Sequence, residues 1–310
     1  MPLPELIELV PLSREQLEGL KGRKARIGIP GSKSITNRAI VLAALANGSV
    51  TLHGALWSED TAAMTICMRR LGIDVRIERD ARLSANRIIT VHGHGGAIPA
   101  GGTEAAPLEL HVANAGTAAR FLTAMVCLGS GVYRLSGTDR MHERPQHYLF
   151  RALRHLGYRI ETPNERLPAL IYGGGVRRGS VTRSVTVSVS ESSQFASALL
   201  LCARAGGWRV STSGGGELPY VEMTKRMLEE WASGGAQGGR QGGREGGLFD
   251  KGGRYEIEAD ASSASYFHAI NLLFPGARPV QLIGAPPPRA HGGSGLQAES
   301  LSLSLTPMFL

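Results

Sequence analysis

Apolar positions fall along the chain in two alternating patterns: near-continuous runs of helical length, and short runs of strand length that end at glycine. The run Ala39 to Ala46 is apolar throughout and predicts a helix. It is opened by Gly31-Ser-Lys-Ser-Ile-Thr-Asn-Arg38, which follows a β-like run, Ala25 to Ile29, and Pro30. Three further stretches repeat this order. Four segments therefore align: Gly31 to Gly54, Asn114 to Gly137, Ser192 to Gly214 and Asp260 to Gly284. Each has a small-residue turn, a helix, a glycine-containing break and a short strand, and the copies recur at roughly 70 to 80 residues.

A second helix follows in the first three copies, over Ser58 to Leu71, Arg144 to Leu156 and Pro219 to Trp231. Met64, Cys67, Met68 and Leu71 sit at helical spacing. Pro145 and Pro219 fall at or near helix starts, where a missing N–H is harmless. Two strand-like runs close each unit: Asp74 to Glu78 and Arg87 to Val91, then Tyr158 to Glu161 and Ala169 to Tyr172. In the third unit the closing strand reads Tyr255-Glu-Ile-Glu258. The predicted unit is βαβαββ, with three full copies and the beginning of a fourth.

The chemistry concentrates in the turns. Gly31 permits a tight turn, and Ser32 and Ser34 cap the first helical turn well. Exposed amides and the helix dipole there favour an anion, and Lys33 and Arg38 add full charges. One reading is a phosphate or carboxylate site; the other is a capped helix with two solvated cations. The spacing is not the phosphate loop of nucleotide triphosphatases, which needs two glycines before the lysine. Packed around a pseudo-threefold axis, three turns would converge, bringing Lys33 and Arg38, Asn114 to Arg120, and Ser192 to Gln194 to one mouth. Strand-to-helix turns are where such sheets bind ligands.

Composition narrows the classes. The 310 residues carry a net charge of +8, which suits an anionic partner. Cys67, Cys127 and Cys202 lie in apolar helical runs, so they read as core residues of a reducing compartment. No Cys/His cluster has metal spacing, and no apolar run reaches the length of a membrane span. Met1 to Leu20 lacks a signal-peptide apolar region and the acid-poor look of a transit peptide. The segment Gly234 to Gly247 is low-complexity and reads as a disordered loop; two arginines without interleaved aromatics make it a weak match to a single-strand RNA binder. After Gly284 the pattern stops, so the stretch 285–310 reads as a disordered tail and the chain as incomplete relative to its own repeat.

These blocks resemble the family of 5-enolpyruvylshikimate-3-phosphate synthase (3-phosphoshikimate 1-carboxyvinyltransferase). The matching stretches are Gly31 to Arg38, Ser58-Glu-Asp-Thr61, Asn114-Ala-Gly-Thr-Ala-Ala-Arg120, Asp139-Arg-Met-His-Glu-Arg-Pro145, Ser192-Ser-Gln194, Pro219-Tyr-Val-Glu-Met-Thr224 and Asp260 to Tyr266, in family order. Some wording is similar to the synthase segment of the multifunctional shikimate-pathway polypeptide. The resemblance implies an inside-out α/β barrel of βαβαββ units around a pseudo-threefold axis, one full domain plus part of a second. Residues 1–27 would belong to the incomplete domain, 28–258 would form the three-unit ligand-binding domain, and 259–284 would begin the other.

The resemblance implies transfer of the enolpyruvyl group of phosphoenolpyruvate to the 5-hydroxyl of shikimate 3-phosphate, with release of phosphate. It calls for no metal or organic cofactor, no nucleic acid and no membrane. The cytoplasm, or the plastid of a photosynthetic host, is the expected compartment. By resemblance Lys33 is catalytic and contacts both substrates, while Ser34 and Arg38 hold shikimate 3-phosphate. Asn114, Gly116, Thr117 and Arg140 belong to the phosphoenolpyruvate side. Ser192 and Ser193 donate to the shikimate phosphate, Gln194 bridges to both substrates, and Tyr220 lines the pocket. Arg140 can grip a carboxylate or phosphate with two parallel bonds.

Two departures stand out. Glu217 occupies the place of a phosphate-binding serine ahead of Leu218-Pro219-Tyr220. The family's second domain supplies an aspartate and a Lys-Glu pair as acid and base, and those blocks would lie beyond Tyr266. The expected partners therefore include that second domain in trans, or other shikimate-pathway activities. The alternative function is a non-catalytic fragment that binds shikimate 3-phosphate. The sister transferase acting on UDP-N-acetylglucosamine carries a reactive Cys where this chain has Thr138-Asp139-Arg140.

Overall fold

The computed structural model describes residues 26–176, 183–214, 219–233, 248–273 and 281–283. The expectations for 1–25, Glu217, the glycine-rich loop 234–247 and the tail 285–310 lie outside these residues. The described elements are, in chain order, β1 (Arg26–Gly28), α1 (Lys33–Leu45), β2 (Asn47–Leu56), α2 (Glu59–Arg70), β3 (Asp74–Arg79), β4 (Asn86–His94), β5 (Leu108–His111), α3 (Gly116–Val126), β6 (Val132–Ser136), α4 (Asp139–Glu143), α5 (His147–His155), β7 (Arg159–Glu161), β8 (Ala169–Tyr172), β9 (Arg183–Ser188), α6 (Gln194–Gly206), β10 (Trp208–Ser213), α7 (Pro219–Ser233), α8 (Leu248–Lys251), β11 (Gly253–Glu256), α9 (Ala261–Leu273) and β12 (Gln281–Ile283). No helix among them is long and apolar enough to cross a membrane.

The apolar runs that signal helices in the sequence are the centre of this mixed α/β structure. Every residue from Ile35 to Leu45 in α1 and from Gly116 to Val126 in α3 is buried, and α6 is buried over most of its length. Helices apolar all round must be covered on all sides. Here α1, α3 and α6 pack against one another, and the sheets lie outside them. Two four-stranded sheets share one plan. In the first the order is β11-β2-β4-β3, and in the second β5-β6-β8-β7, each with one parallel and two antiparallel pairings. A parallel pair, β9-β10, flanks α6. The three cysteines are buried.

Two sequence expectations change. Tyr255 to Glu258 does not close the third unit; β11 pairs in parallel with β2 and takes, in the first sheet, the edge place that β5 holds in the second. Correspondingly β1 lies outside the first sheet and pairs in parallel with β12. A strand's apolar pattern sets its face, not its neighbour, so this exchange was not legible. The expected helix Arg144 to Leu156 is shorter at its start and preceded by a separate one. Helix α4 ends at Glu143, Arg144 is extended ahead of Pro145, and α5 begins at His147. Proline disfavours helical geometry in the residue before it, which separates the two.

The crossing chain segments at 28–32 and 256–260 are tied together. Ser32 N donates to Glu258 O at 2.8 Å, Asp260 N to Pro30 O at 2.8 Å, and Gly31 bridges Ala259. The β3–β4 turn supports this junction. Asn86 Oδ1 accepts from Gly31 N at 3.0 Å. Buried Asp80 accepts from Arg82 N, Nε and Nη2 at 2.9 to 3.1 Å. Hydrogen bonds from Arg82 outweigh desolvation and hold the Asp80 carboxyl below its ordinary value. Asp80 therefore adds stability above the ordinary carboxylate range, and that contribution is lost as pH falls through its lowered folded value. Because Arg82 is largely exposed, Asp80→Asn is expected to cost only about 1 kcal/mol at pH 7. The cost should shrink near pH 3, as read by urea unfolding at the two pH values. An equal cost at both would contradict it.

Candidate functional site

The first turns of α1, α3 and α6 are built differently, and each for a local reason. Ser32 caps α1, its Oγ accepting from Ile35 N at 3.4 Å. Thr36 Oγ1 then donates to Ser32 O at 2.8 Å and accepts from Leu56 N at 3.1 Å, fixing the cap to the end of β2. Ala115 caps α3 without a side-chain bond. Just before it Ala113 is held at φ 49°, where Cβ-bearing residues are strained. Thr138 N donates to Ala113 O at 3.0 Å and pins that conformation, which turns Asn114 out to solvent. Ser192 Oγ accepts from Gln194 N at 3.2 Å at the start of α6.

Two buried arginines join these helices in succession. Arg38 is 2% exposed and folds back along α1, its Nη1 donating to Ser34 O at 2.9 Å. Arg120 is equally buried and folds back along α3, its Nη1 donating to Gly116 O at 3.2 Å. Long helical side chains lean toward the N-terminus in this way. The Arg38 Cζ lies 5.3 Å from the ring centre of Phe121 on α3, and the Arg120 Cζ lies 6.0 Å from that of Phe195 on α6. The N-terminal halves of the three buried helices thus meet around two guanidinium groups.

Arg38 also reaches the third unit. Its Nε donates to Thr224 Oγ1 at 2.8 Å, and its Nη2 to Ser197 Oγ at 3.0 Å and Tyr220 O at 3.3 Å. These acceptors are neutral, and burial pushes the Arg38 guanidinium down to about 10. It remains a cation at neutral pH. Tyr220 is half-exposed, its ring centre 5.9 Å from Arg38 Cζ. Ser197 and Thr224 were not singled out as site residues in the sequence. Their signal was weak, because a hydroxyl in a helix has no mark that shows which long side chain it will receive.

Lys33 lies at the exposed start of α1 and pairs with Asp60 at 3.2 Å, near the start of α2. Ser34, Ser192, Ser193 and Gln194 are partly exposed, and Thr117 is buried. Gln194 Oε1 is buried without a hydrogen-bond partner among the described residues. Arg140 is exposed on α4, and among the described residues no hydrogen bond or ion pair draws it to the other candidates. Arg38 is the candidate that differs most from the sequence picture: it sits beneath the turns, not at the surface beside Lys33. The arrangement presents two buried cations, one exposed lysine, hydroxyls and helix-start amides, a set suited to a polyanion.

The chain matches the family described as EPSP synthase (3-phosphoshikimate 1-carboxyvinyltransferase) over residues 17–292. It is 38% identical over 307 residues to the 3-phosphoshikimate 1-carboxyvinyltransferase of Opitutus terrae, covering 97% of this chain and 65% of that protein. With the enzyme of the same name from Bordetella pertussis it shares 40% over 271 residues, 84% of this chain and 58% of the other. Among solved structures, EPSP synthase from Acinetobacter baumannii superposes with a TM-score of 0.57 at 25% identity, over 79% of this chain and 53% of that one. The chain spans less than two thirds of the length of these curated relatives.

Proposed function

Because the chain belongs to the EPSP synthase family, we propose that it carries the ligand-binding face of an enolpyruvyl transferase acting on phosphoenolpyruvate and shikimate 3-phosphate. The observation that carries this reading is the meeting of the N-terminal halves of α1, α3 and α6 around Arg38 and Arg120. The succession of arginine over the next helix's phenylalanine supports a pseudo-threefold axis and an inside-out barrel. The pairing of β1 with β12, apart from the two larger sheets, supports a division near residues 28 and 258.

In this reading Lys33, Ser34 and Arg38 hold shikimate 3-phosphate from α1, and Ser192 and Ser193 donate to its phosphate. Tyr220 covers the ring, and Gln194 offers its amide to both ligands. Asn114, Gly116, Thr117 and Arg140 take phosphoenolpyruvate. The 5-hydroxyl gives up its proton and attacks C2 of phosphoenolpyruvate, while C3 gains a proton. The resulting tetrahedral ketal loses phosphate, which leaves with the C–O electron pair, and C3 gives up a proton, its C–H electron pair re-forming the C2–C3 double bond. Lys33 opposes the charge that gathers on the phosphate; the buried guanidiniums do so at lower dielectric, where each is worth more. Asp60 holds the Lys33 ammonium in place. Turnover is proposed to need the facing half that the longer relatives carry.

The test is phosphate release from the two substrates, with Lys33→Met alongside. With the facing half of a longer relative supplied in trans we expect release, and a fall of at least about 100-fold in the variant, the size of losing one transition-state donor. Saturable shikimate 3-phosphate binding without release would favour the second reading, a binding fragment. That reading rests on the chain's 65% coverage of its relative. A folded chain that neither binds nor turns over would overturn both.

A further inference from the structure

In the sequence Arg144 stands only at an expected helix start. In the structure it is the C-cap of α4, fixed in an extended conformation by Pro145 and by its own N–H donating to Met141 O at 3.3 Å. Its side chain runs to the first turn of α3. There the guanidinium lies against Gly116: a Cβ built on that glycine would be 2.6 Å from both Nη atoms and 2.7 Å from Cζ. Only glycine leaves this space. Nη1 also points to Asn114 O at 3.4 Å.

Three observations converge at this point. Helix α3 has no side-chain cap, so its leading amides are not taken by Ala115. Arg120 is buried one turn below, and its Nε has no hydrogen-bond partner among the described residues. The acceptors of both arginines are backbone carbonyls: Gly116 O and Pro145 O for Arg120, Asn114 O for Arg144. Burial first, and the Arg144 charge second, push Arg120 down to about 10. Two guanidiniums that feel each other, with neutral acceptors and a helix start without a side-chain cap beside them, are stabilised by an anion.

We infer that Arg144 is a further substrate-binding residue of this face, gripping the phosphate or carboxylate that lies against Gly116. The identity of that ligand as phosphoenolpyruvate rests on the function proposed above; the presence of an anion does not. Arg144, unlike Arg140, already touches both Asn114 and Gly116. Its planar fork can turn from the weak Asn114 bond to an incoming oxyanion without moving the backbone.

The experiment is titration of phosphoenolpyruvate into the 310-residue chain at saturating shikimate 3-phosphate. Arg144→Gln is expected to raise the phosphoenolpyruvate Kd about 10- to 100-fold, the size of one charge-assisted contact. Its shikimate 3-phosphate Kd should stay within about twofold, which also reports that the variant folds. Arg144→Lys, keeping the charge and losing the fork, should fall between. Wild-type phosphoenolpyruvate affinity in Arg144→Gln overturns the inference. If the wild-type chain binds neither substrate, the proposed function fails, and the anion site is then read by phenylglyoxal labelling of Arg144. Slower labelling in inorganic phosphate than in an uncharged buffer supports the site, and an unchanged rate overturns it.

Discussion

Arg38→Met is expected to leave the chain folded while lowering its affinity for shikimate 3-phosphate about 100-fold. The sign of the stability change is decided by two opposing magnitudes. Burial lowers the Arg38 guanidinium from 12.5 to about 10, so keeping it charged costs folding roughly 3 kcal/mol. Removing it relieves that cost but strips Thr224, Ser197 and the Tyr220 carbonyl of a donor, at about 1 to 3 kcal/mol where a group is left unpaired. Thr224 Oγ1 and Ser197 Oγ lie 2.9 Å apart and both lie near Tyr220 O, so they satisfy part of one another's needs. The net change in stability should stay within about 2 kcal/mol. In the proposed function Arg38 faces the anionic ligand, and losing one such charge-assisted contact is worth about 1.5 to 3 kcal/mol of binding. Urea unfolding and ligand titration on the same preparation separate the two effects. A loss of more than about 4 kcal/mol with unchanged affinity in the folded fraction would make Arg38 a clamp only.

Gly31→Ala is expected to lose about 3 kcal/mol or more of stability, at the upper end for an overpacked site. A Cβ at this position would fall 1.9 Å from Gly54 O and 3.2 Å from Ile257 Cγ2. The first is backbone, held by the bulge in β2, where the register with β4 shifts between Leu52 and Ala55. Gly31 cannot retreat either, because Asn86 Oδ1 holds its N–H and Ser32 N is bonded to Glu258 O. The α1 cap must therefore move, carrying Lys33 with it, so ligand affinity should fall together with the denaturation midpoint. A variant that keeps both would show that the junction yields easily.

The buried helices and their turns were legible because each is a local pattern: a continuous apolar run behind a small-residue cap. The same holds for β3, β4, β7 and β8, whose predicted runs match within a few residues. What escaped depends on distant partners. Nothing in Gly253 to Glu256 says that it will pair with β2, and nothing in Arg26 to Gly28 names β12. Helix α4 has no clear signal because Pro145 marks the start of one helix as readily as the stop of the one before it. At the site, Arg38 and Arg120 were visible as cations but not as buried ones, since burial is set by Phe121 and Phe195 arriving from other units. Ala113 at positive φ, the Asp60 partner of Lys33, and Arg144 against Gly116 have no local signature in the sequence.

The most direct measurement is calorimetric titration of the wild-type chain with shikimate 3-phosphate and, separately, with shikimate. Saturable one-to-one binding of the phosphorylated ligand is expected, at least about 100-fold tighter than shikimate, because in the proposed function the phosphate meets charge-assisted donors at the helix starts. Equal affinity for the two ligands, or no binding by a chain that unfolds cooperatively, would contradict it.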